Sequence, residues 1–297
     1  MRYITDEQIK KINIDSFELL KIVNDTIKHK KESLLPPKTS IHLDEKGSIF
    51  YNTMPCCIPA LNVGGVKLVN RYPDNTPSLN ANLMLYDLSN GQLKAVMDAS
   101  YLTILRTSAV GIHSVYLFAK KDFKTIAFIG LGEVGKLALK IFIDTIDHDV
   151  IIRIFNYKNR AKEIIDEYKD RKHVTFEVYD DYDSLVNNCD VIVSAVTYQE
   201  KDFTTPDKYK KGCLIVPIHT RGFMDCDLVF DKIFGDDTGH LKSFKNFNKF
   251  KRFEEICDVV NGKVKGRESD DERIIAYSVG IALHDITLAN IIYEKLK

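Results

Sequence analysis

Apolar positions recur at helical spacing from Asp15 to about Lys31, where Phe17, Leu20, Val23 and Ile27 share one face. Thr5, with Gln8 three residues on, has the capping-box pattern that starts a shorter helix before it. Pro36-Pro37 ends the helical stretch. From 38 to 98 the period changes. Runs at 40–43 and 48–53 flank Asp44-Glu45-Lys46-Gly47, Gly64-Gly65 leads into 66–69, and 81–88 and 92–97 flank Ser89-Asn90-Gly91. Strands joined by tight turns predict an antiparallel sheet. Leu102, Leu105, Ala109, Ile112 and Val115 then mark one face of a helix from Ser100 to about Ala119, and Lys120-Lys121-Asp122 reads as a junction.

Six short apolar runs follow, at 125–129, 150–155, 174–178, 191–196, 213–218 and 228–234. Helical or loop stretches separate them, the clearest helices being 133–146 and 159–170. Such alternation predicts a parallel sheet covered on both faces. The tail, 271–297, is expected to form one long helix carrying Ile275, Val279, Leu283, Ile286 and Ile291, folded back on the first part of the chain.

The length of 297 residues suits two domains at roughly 150 each. Lys+Arg and Asp+Glu are both 42, a balance that argues against a nucleic-acid partner or an acidic membrane surface. No apolar run reaches the ~18 residues of a membrane span, and the opening residues lack the apolar core of a signal peptide. The six cysteines form no CxxC pair and the eight histidines no HExxH, so no metal is expected. Reduced thiols in a cytoplasmic protein are the expectation.

The sharpest motif is Gly130-Leu131-Gly132-Glu133-Val134-Gly135, a GxGxxG placed directly after one apolar run and before a helix. Gly130 permits the tight turn, Gly132 lets backbone approach a pyrophosphate, and Gly135 allows close helix–strand packing. The helix start then offers N–H donors to phosphate. A dinucleotide, NAD or NADP, is therefore the expected cofactor, and the domain is a Rossmann doubly wound sheet over 120–269. The position that meets the adenosine ribose falls at Asn156, followed by Lys158 and Arg160. Asparagine cannot repel a 2′-phosphate as a carboxylate would, which favours NADP.

Beyond the loop, several strings are similar to the ornithine cyclodeaminase/mu-crystallin family along nearly the whole chain. They are Gly65-Val66-Lys67-Leu68-Val69, Leu85-Tyr86-Asp87 with Asn90-Gly91, Met97-Asp98-Ala99, and Leu105-Arg106-Thr107-Ser108-Ala109. Asn261-Gly262, Gly266-Arg267, and Val279-Gly280-Ile281-Ala282 with His284-Asp285 follow near the end. The string at 266–272 resembles the dehydrogenase branch that serves diaminopropionate synthesis. The resemblance implies a homodimer joined through an α+β substrate-binding and dimerisation domain, here 1–119 plus 270–297, with substrate between that sheet and the nicotinamide.

It also implies roles. Lys67 matches the lysine beside the substrate carboxylate, able to bind that anion or assist proton transfer to nitrogen. Arg106 matches an arginine whose planar fork suits a carboxylate, and Thr107 opens onto the cofactor side of the same helix. By residue chemistry alone, Lys67 in an apolar run is either functional or an edge lysine, and Arg106 either a ligand clamp or a structural ion pair. Two departures stand out. Lys38 follows Pro37 where the family commonly has a carboxylate-binding arginine. The loop at 217–222, Pro-Ile-His-Thr-Arg-Gly, lacks the aspartate that serves as base in cyclodeamination, the next being Asp225 and Asp227. His219 becomes a candidate proton donor and Arg221 a candidate anion ligand, His219 being alternatively a strand-end residue satisfied by backbone.

The expected activity is NAD(P)-dependent hydride transfer at the α-carbon or C=N bond of an amino or imino acid. The alternatives are an ornithine-cyclodeaminase-like lyase using catalytic NAD, and a non-catalytic NAD(P)-binding protein of crystallin type.

Overall fold

A computed structural model describes residues 1–297 except Lys46, Arg160, Thr197, Tyr198 and Thr220, and except the side chain of Asn159. The chain divides into two compact units, Met1–Arg106 with Gly280–Lys297, and Thr107–Val279.

The first unit opens with β1 (Arg2–Ile4), α1 (Asp6–Lys11) and α2 (Ser16–Lys28). Thr5 caps α1 in the reciprocal way its sequence predicts: its hydroxyl accepts from the Gln8 amide, and its own amide donates to the Gln8 side chain. Then come β2 (Thr39–His42), β3 (Phe50–Ile58), β4 (Val63–Arg71), β5 (Leu79–Asp87) and β6 (Leu93–Asp98), followed by α3 (Ser100–Phe118), within which the division between units falls. The sheet order is β1-β6-β5-β4-β3-β2, antiparallel except that β1 runs parallel to β6.

The second unit continues with β7 (Thr125–Ile129), α4 (Glu133–Thr145), β8 (Val150–Phe155), α5 (Ala161–Tyr168), β9 (Val174–Tyr179), α6 (Tyr182–Val186), β10 (Val191–Ser194) and β11 (Leu214–Pro217). It ends with β12 (Lys232–Gly235), α7 (Thr238–Leu241), β13 (Phe253–Glu255), α8 (Ile256–Val260) and β14 (Ile274–Tyr277). All eight strands are parallel, in the order β13-β12-β14-β11-β10-β7-β8-β9. Strand order reverses between β7 and β10, the switch point where doubly wound sheets open a crevice for ligands. β7, β10, β11, β12 and β14 are buried along their whole length, as two-sided coverage requires.

The chain then returns to the first unit as α9 (Ala282–Lys295), which packs on β3, β4 and β5 and against α2. One face of the six-stranded sheet is thereby covered. Its inward row runs Ile4, Met97, Leu83, Lys67, Met54 across five strands, every member buried. The outward row beside it reads Tyr3, Val96, Met84, Val66, Pro55, with Tyr3 59% and Met84 44% exposed.

The tail departs from the single helix expected over 271–297. Leu283 and Ile286 do lie in a helix, but Ile275 and Val279 fit their period by coincidence. Ile274–Tyr277 is a strand inserted between β11 and β12, and Gly280, at φ +83°, breaks the chain before α9. The run expected at 228–234 likewise begins as a helical turn, Cys226–Leu228, and only β12 is extended. With β14 in the parallel sheet, the second unit extends to Val279, whereas the sequence suggested a boundary at 269. Its other limit falls at Thr107, not 120, and Phe118 stacks on Phe234 at 4.2 Å between ring centroids.

Candidate functional site

In the second unit, β7 runs straight into the glycine loop. Gly130 adopts φ +85°, a conformation that suits glycine, and a Cβ on Gly135 would lie 2.1 Å from the Gly130 carbonyl oxygen. Gly132 differs: a Cβ there would meet nothing within 4 Å. The loop faces open space at the one glycine whose role is approach to a ligand. Gly132 is also the N-cap of α4 and supplies no side-chain cap, so the N–H groups of that 13-residue helix remain available at its positive end. Beside them lies a cavity of about 420 Å³ lined by Gly130, Gly132, Phe155, Tyr157, Ala161 and Val196, among others. Glu133 and Val134 form the first turn, Val134 accepting from the Ser108 hydroxyl at 2.8 Å, and Thr107 is half-buried next to Ser108. These features fit a dinucleotide.

Asn156 stands at the end of β8, and its Nδ2 donates to Asp180 Oδ1 at 2.9 Å. Asp180, just past β9, thus places a carboxylate beside Asn156. Lys158, left-handed at φ +53°, lays its amine over the Tyr157 ring. Arg160 lies outside the described residues.

His219 lies just past β11. Burial pushes its imidazole down to about 4, so the ring is neutral near pH 7. Nε2 is 2.7 Å from the Ser194 hydroxyl, and Nδ1 accepts from the Arg221 amide at 3.4 Å. Phe203 and Phe223 flank the ring. Arg221 is exposed. Asp227, the carboxylate nearest in sequence to a cyclodeaminase base apart from exposed Asp225, is buried and accepts from the Tyr277 hydroxyl at 2.8 Å.

The first unit gathers the other predicted groups. Lys67, on β4, has no exposed surface and lies directly between Leu83 and Met54 on the adjoining strands. A lone ammonium there is costly. Asp285, from the first turn of α9, answers it: Oδ1 accepts from Lys67 Nζ at 2.7 Å and from Arg106 Nε at 2.8 Å. The opposite carboxylate oxygen, Oδ2, is buried without a partner. Burial, then the Arg106 charge, brings the Lys67 amine down to about 7, against the pull of Asp285; Lys38, half-buried before β2, adds to the decrease. Burial alone raises the Asp285 carboxyl, but the Arg106 and Lys67 charges more than reverse this and hold it below the usual range.

Because Arg106 meets Asp285 through Nε, its two Nη groups keep their donors, and neither makes a hydrogen bond among the described residues. Gly280 makes room for them, since a Cβ there would lie 2.9 Å from Nη1. The result is a nearly buried guanidinium fork, 7% exposed, with its flat end free for a planar anion. Asp285 was not among the residues singled out as functional. Its only sequence signal was the His284-Asp285 string, in a helix whose other residues read as core.

Among the described residues, one trio has metal-ligand spacing, Glu255, Cys257 and Asp258. The Glu255 carboxylate already accepts from the Thr238 amide and hydroxyl and from the Cys257 thiol.

Known proteins share this architecture. The chain is 27% identical to N-((2S)-2-amino-2-carboxyethyl)-L-glutamate dehydrogenase of Staphylococcus aureus, over 78% of this chain and 74% of that one. It is 27% identical to a Delta(1)-pyrroline-2-carboxylate reductase of Bacillus cereus, over 82% and 80%. An archaeal alanine dehydrogenase dimer with bound NAD superposes with a TM-score of 0.86 at 24% identity, covering 99% of this chain and 95% of that one. The family model described as ornithine cyclodeaminase/mu-crystallin matches residues 5–297, and the chain belongs to that family.

Proposed function

We propose that the protein is an NAD(P)-dependent oxidoreductase that moves hydride at the α-carbon of an amino acid, or equivalently at the C=N carbon of an imino acid. One observation carries this: Lys67 and Arg106 share a single oxygen of Asp285, while the Arg106 fork makes no hydrogen bond among the described residues. Two buried cations against one carboxylate leave a net positive charge that a substrate carboxylate neutralises.

The glycine loop and the N-terminus of α4 would hold a nicotinamide dinucleotide, which when bound would supply the hydride chemistry in either direction. The chain's own groups do the rest. Arg106 binds the substrate carboxylate through Nη1 and Nη2, with Lys38 adding charge, and so fixes which face of the C=N bond is presented. Lys67, with an amine poised near neutrality, gives a proton to the imine nitrogen as the carbon gains hydride. In oxidation the same amine, unprotonated, receives it. The named relatives support this substrate class, since they include a pyrroline-2-carboxylate reductase and an amino-acid-conjugate dehydrogenase.

The choice between NAD and NADP turns on two exposed opposing charges, Asp180 against a 2′-phosphate and Lys158 for it. We further propose a homodimer joined through the open face of the six-stranded sheet, supported by the outward row from Tyr3 to Pro55 and by the dimeric alanine dehydrogenase. Six free thiols support a reducing compartment such as the cytoplasm.

The test mixes purified protein with NADH or NADPH and a panel of cyclic and acyclic imino acids, and reads nicotinamide absorbance. Amino acids with NAD⁺ or NADP⁺ form the reverse panel. Substrate-dependent turnover that is lost in Lys67→Met and Arg106→Ala is expected. Flat absorbance with every pair, or turnover indifferent to both substitutions, would sink the proposal.

A further inference from the structure

Asp285 has no part in binding or chemistry as proposed so far, yet it touches both groups that do. Its carboxylate comes from α9, Lys67 from β4 and Arg106 from α3, so three elements meet at one oxygen. The groups facing this point are few. β3 contributes the Cys56 thiol, which burial pushes up to about 12, with Cys57 and Asp285 adding to the shift. β5 contributes Leu83, the cross-strand neighbour of Lys67. Lys38 and Arg106 both repel the Lys67 charge, and among the described residues Asp285 is the group that attracts it.

Two geometric details show what the carboxylate does. Arg106 is gripped from the side, at Nε, not end-on, which turns its flat fork outward. Lys67 bonds the same oxygen, while Oδ2 remains buried and unpartnered. A structural ion pair would be expected to satisfy both oxygens, because a half-satisfied buried carboxylate is costly. An arrangement that, among the described residues, leaves Oδ2 and both Nη groups without a hydrogen bond favours orientation over stability.

We propose that Asp285 is the positioning residue of this site, aiming the Arg106 fork at the substrate carboxylate and keeping the Lys67 amine protonated for transfer to nitrogen. The inference rests on the imine-reductase reading above. Removing the charge while keeping an acceptor, as in Asp285→Asn, leaves Lys67 with two cationic neighbours and no anion. Loss of an adjacent opposite charge moves an ionisation by about one to three pH units, here downward. Imine reduction needs protonated Lys67, so its rate falls as pH rises through that ionisation.

The experiment measures kcat/KM for imine reduction against pH in the parent and in Asp285→Asn. Expected is a basic limb moved at least about one unit toward acid, with a loss of about tenfold or more above neutrality that shrinks as pH is lowered. An unmoved limb, or a uniform loss at every pH, would mean a merely structural carboxylate and overturn the proposal. If Asp285→Asn fails to fold, Asp285→Glu takes its place. It keeps the charge but re-aims it, so the limb should stay and KM for the imino acid should rise; an unchanged KM overturns the proposal. NMR titration of ¹³C-labelled lysine, with the Lys67 signal assigned from Lys67→Met, reads the same ionisation without turnover. If the parent reduces no imino acid, the reductase reading fails, but a Lys67 titration that drops in Asp285→Asn still upholds the electrostatic half of the inference. An unmoved titration removes it.

Discussion

Replacing Arg106 by lysine keeps the charge and removes the shape. Arg106 serves two partners in the proposed complex, Asp285 through Nε at 2.8 Å and the substrate carboxylate through the Nη fork. A lysine has one nitrogen on a flexible stem, so it can bond Asp285 or the substrate but cannot match both with fixed geometry. At least one charge-assisted hydrogen bond to the substrate is lost, worth about 1.5–3 kcal/mol. At ~1.4 kcal/mol per decade this is a fall of about 10- to 150-fold in kcat/KM. Steady-state imine reduction at saturating cofactor measures it. A rise in KM with kcat kept would mean that the lost bond acts equally in ground and transition states; a fall in kcat would mean that aim matters most as hydride moves. Arg106→Lys with the parent's kcat/KM and the parent's KM would refute the fork as the substrate's anchor.

Three more outcomes are expected. Gly132→Ala should fold as the parent does, because its Cβ meets nothing within 4 Å, yet bind NADH or NADPH at least about tenfold more weakly; Gly135→Ala, 2.1 Å from a backbone oxygen, should lose about 1–3 kcal/mol of stability outright. Thermal melts and nicotinamide fluorescence titrations separate the two effects, and a Gly132→Ala variant with full affinity would contradict the cradle. Asp227 is pushed up to about 7 by burial first, then by nearby Asp202 and Asp225, so its folded form resists ionisation and it costs stability as pH rises from about 4 to 7; Asp227→Asn should gain on the order of 1–3 kcal/mol over the parent at pH 8 relative to pH 4, read from melts at both. Met84→Glu, at the centre of the outward apolar row, should convert a dimer to monomer in sedimentation velocity, and an unchanged sedimentation coefficient would move the interface elsewhere.

Much of this was legible in the residues because local chemistry and global fold agreed. The capping box at Thr5, the strands at 125–129 and 150–155 and the glycine loop each carry their own physical cause within a few neighbours. What escaped depended on distant partners. Nothing near Ile274–Tyr277 says strand and not helix; it is extended because β11 and β12 hold a place between them. β1, three residues long, exists only through its pairing with β6. His219 fits a proton donor by type, and only the fold shows the Ser194 hydroxyl and two phenylalanines around its ring and the desolvation that lowers its proton affinity. Asp285 is the sharpest case. A carboxylate in an apolar helix is an anomaly in sequence, and only the fold reveals that two cations from far upstream converge on it.

That convergence spans 218 residues to Lys67 and 179 to Arg106. During synthesis, β4 and α3 leave the ribosome with their cations uncompensated. At translation speeds, roughly ten to forty seconds pass before α9 follows. Through that interval the inward row of the sheet holds a charge it cannot bury cheaply, so the first unit has reason to stay loose until its last helix arrives. The Lys67–Asp285–Arg106 cluster therefore closes only once the last helix is in place. A chain cut short within the second unit would lack both α9 and β14, the strand that joins β11 to β12, and would leave Lys67 and Arg106 without their carboxylate.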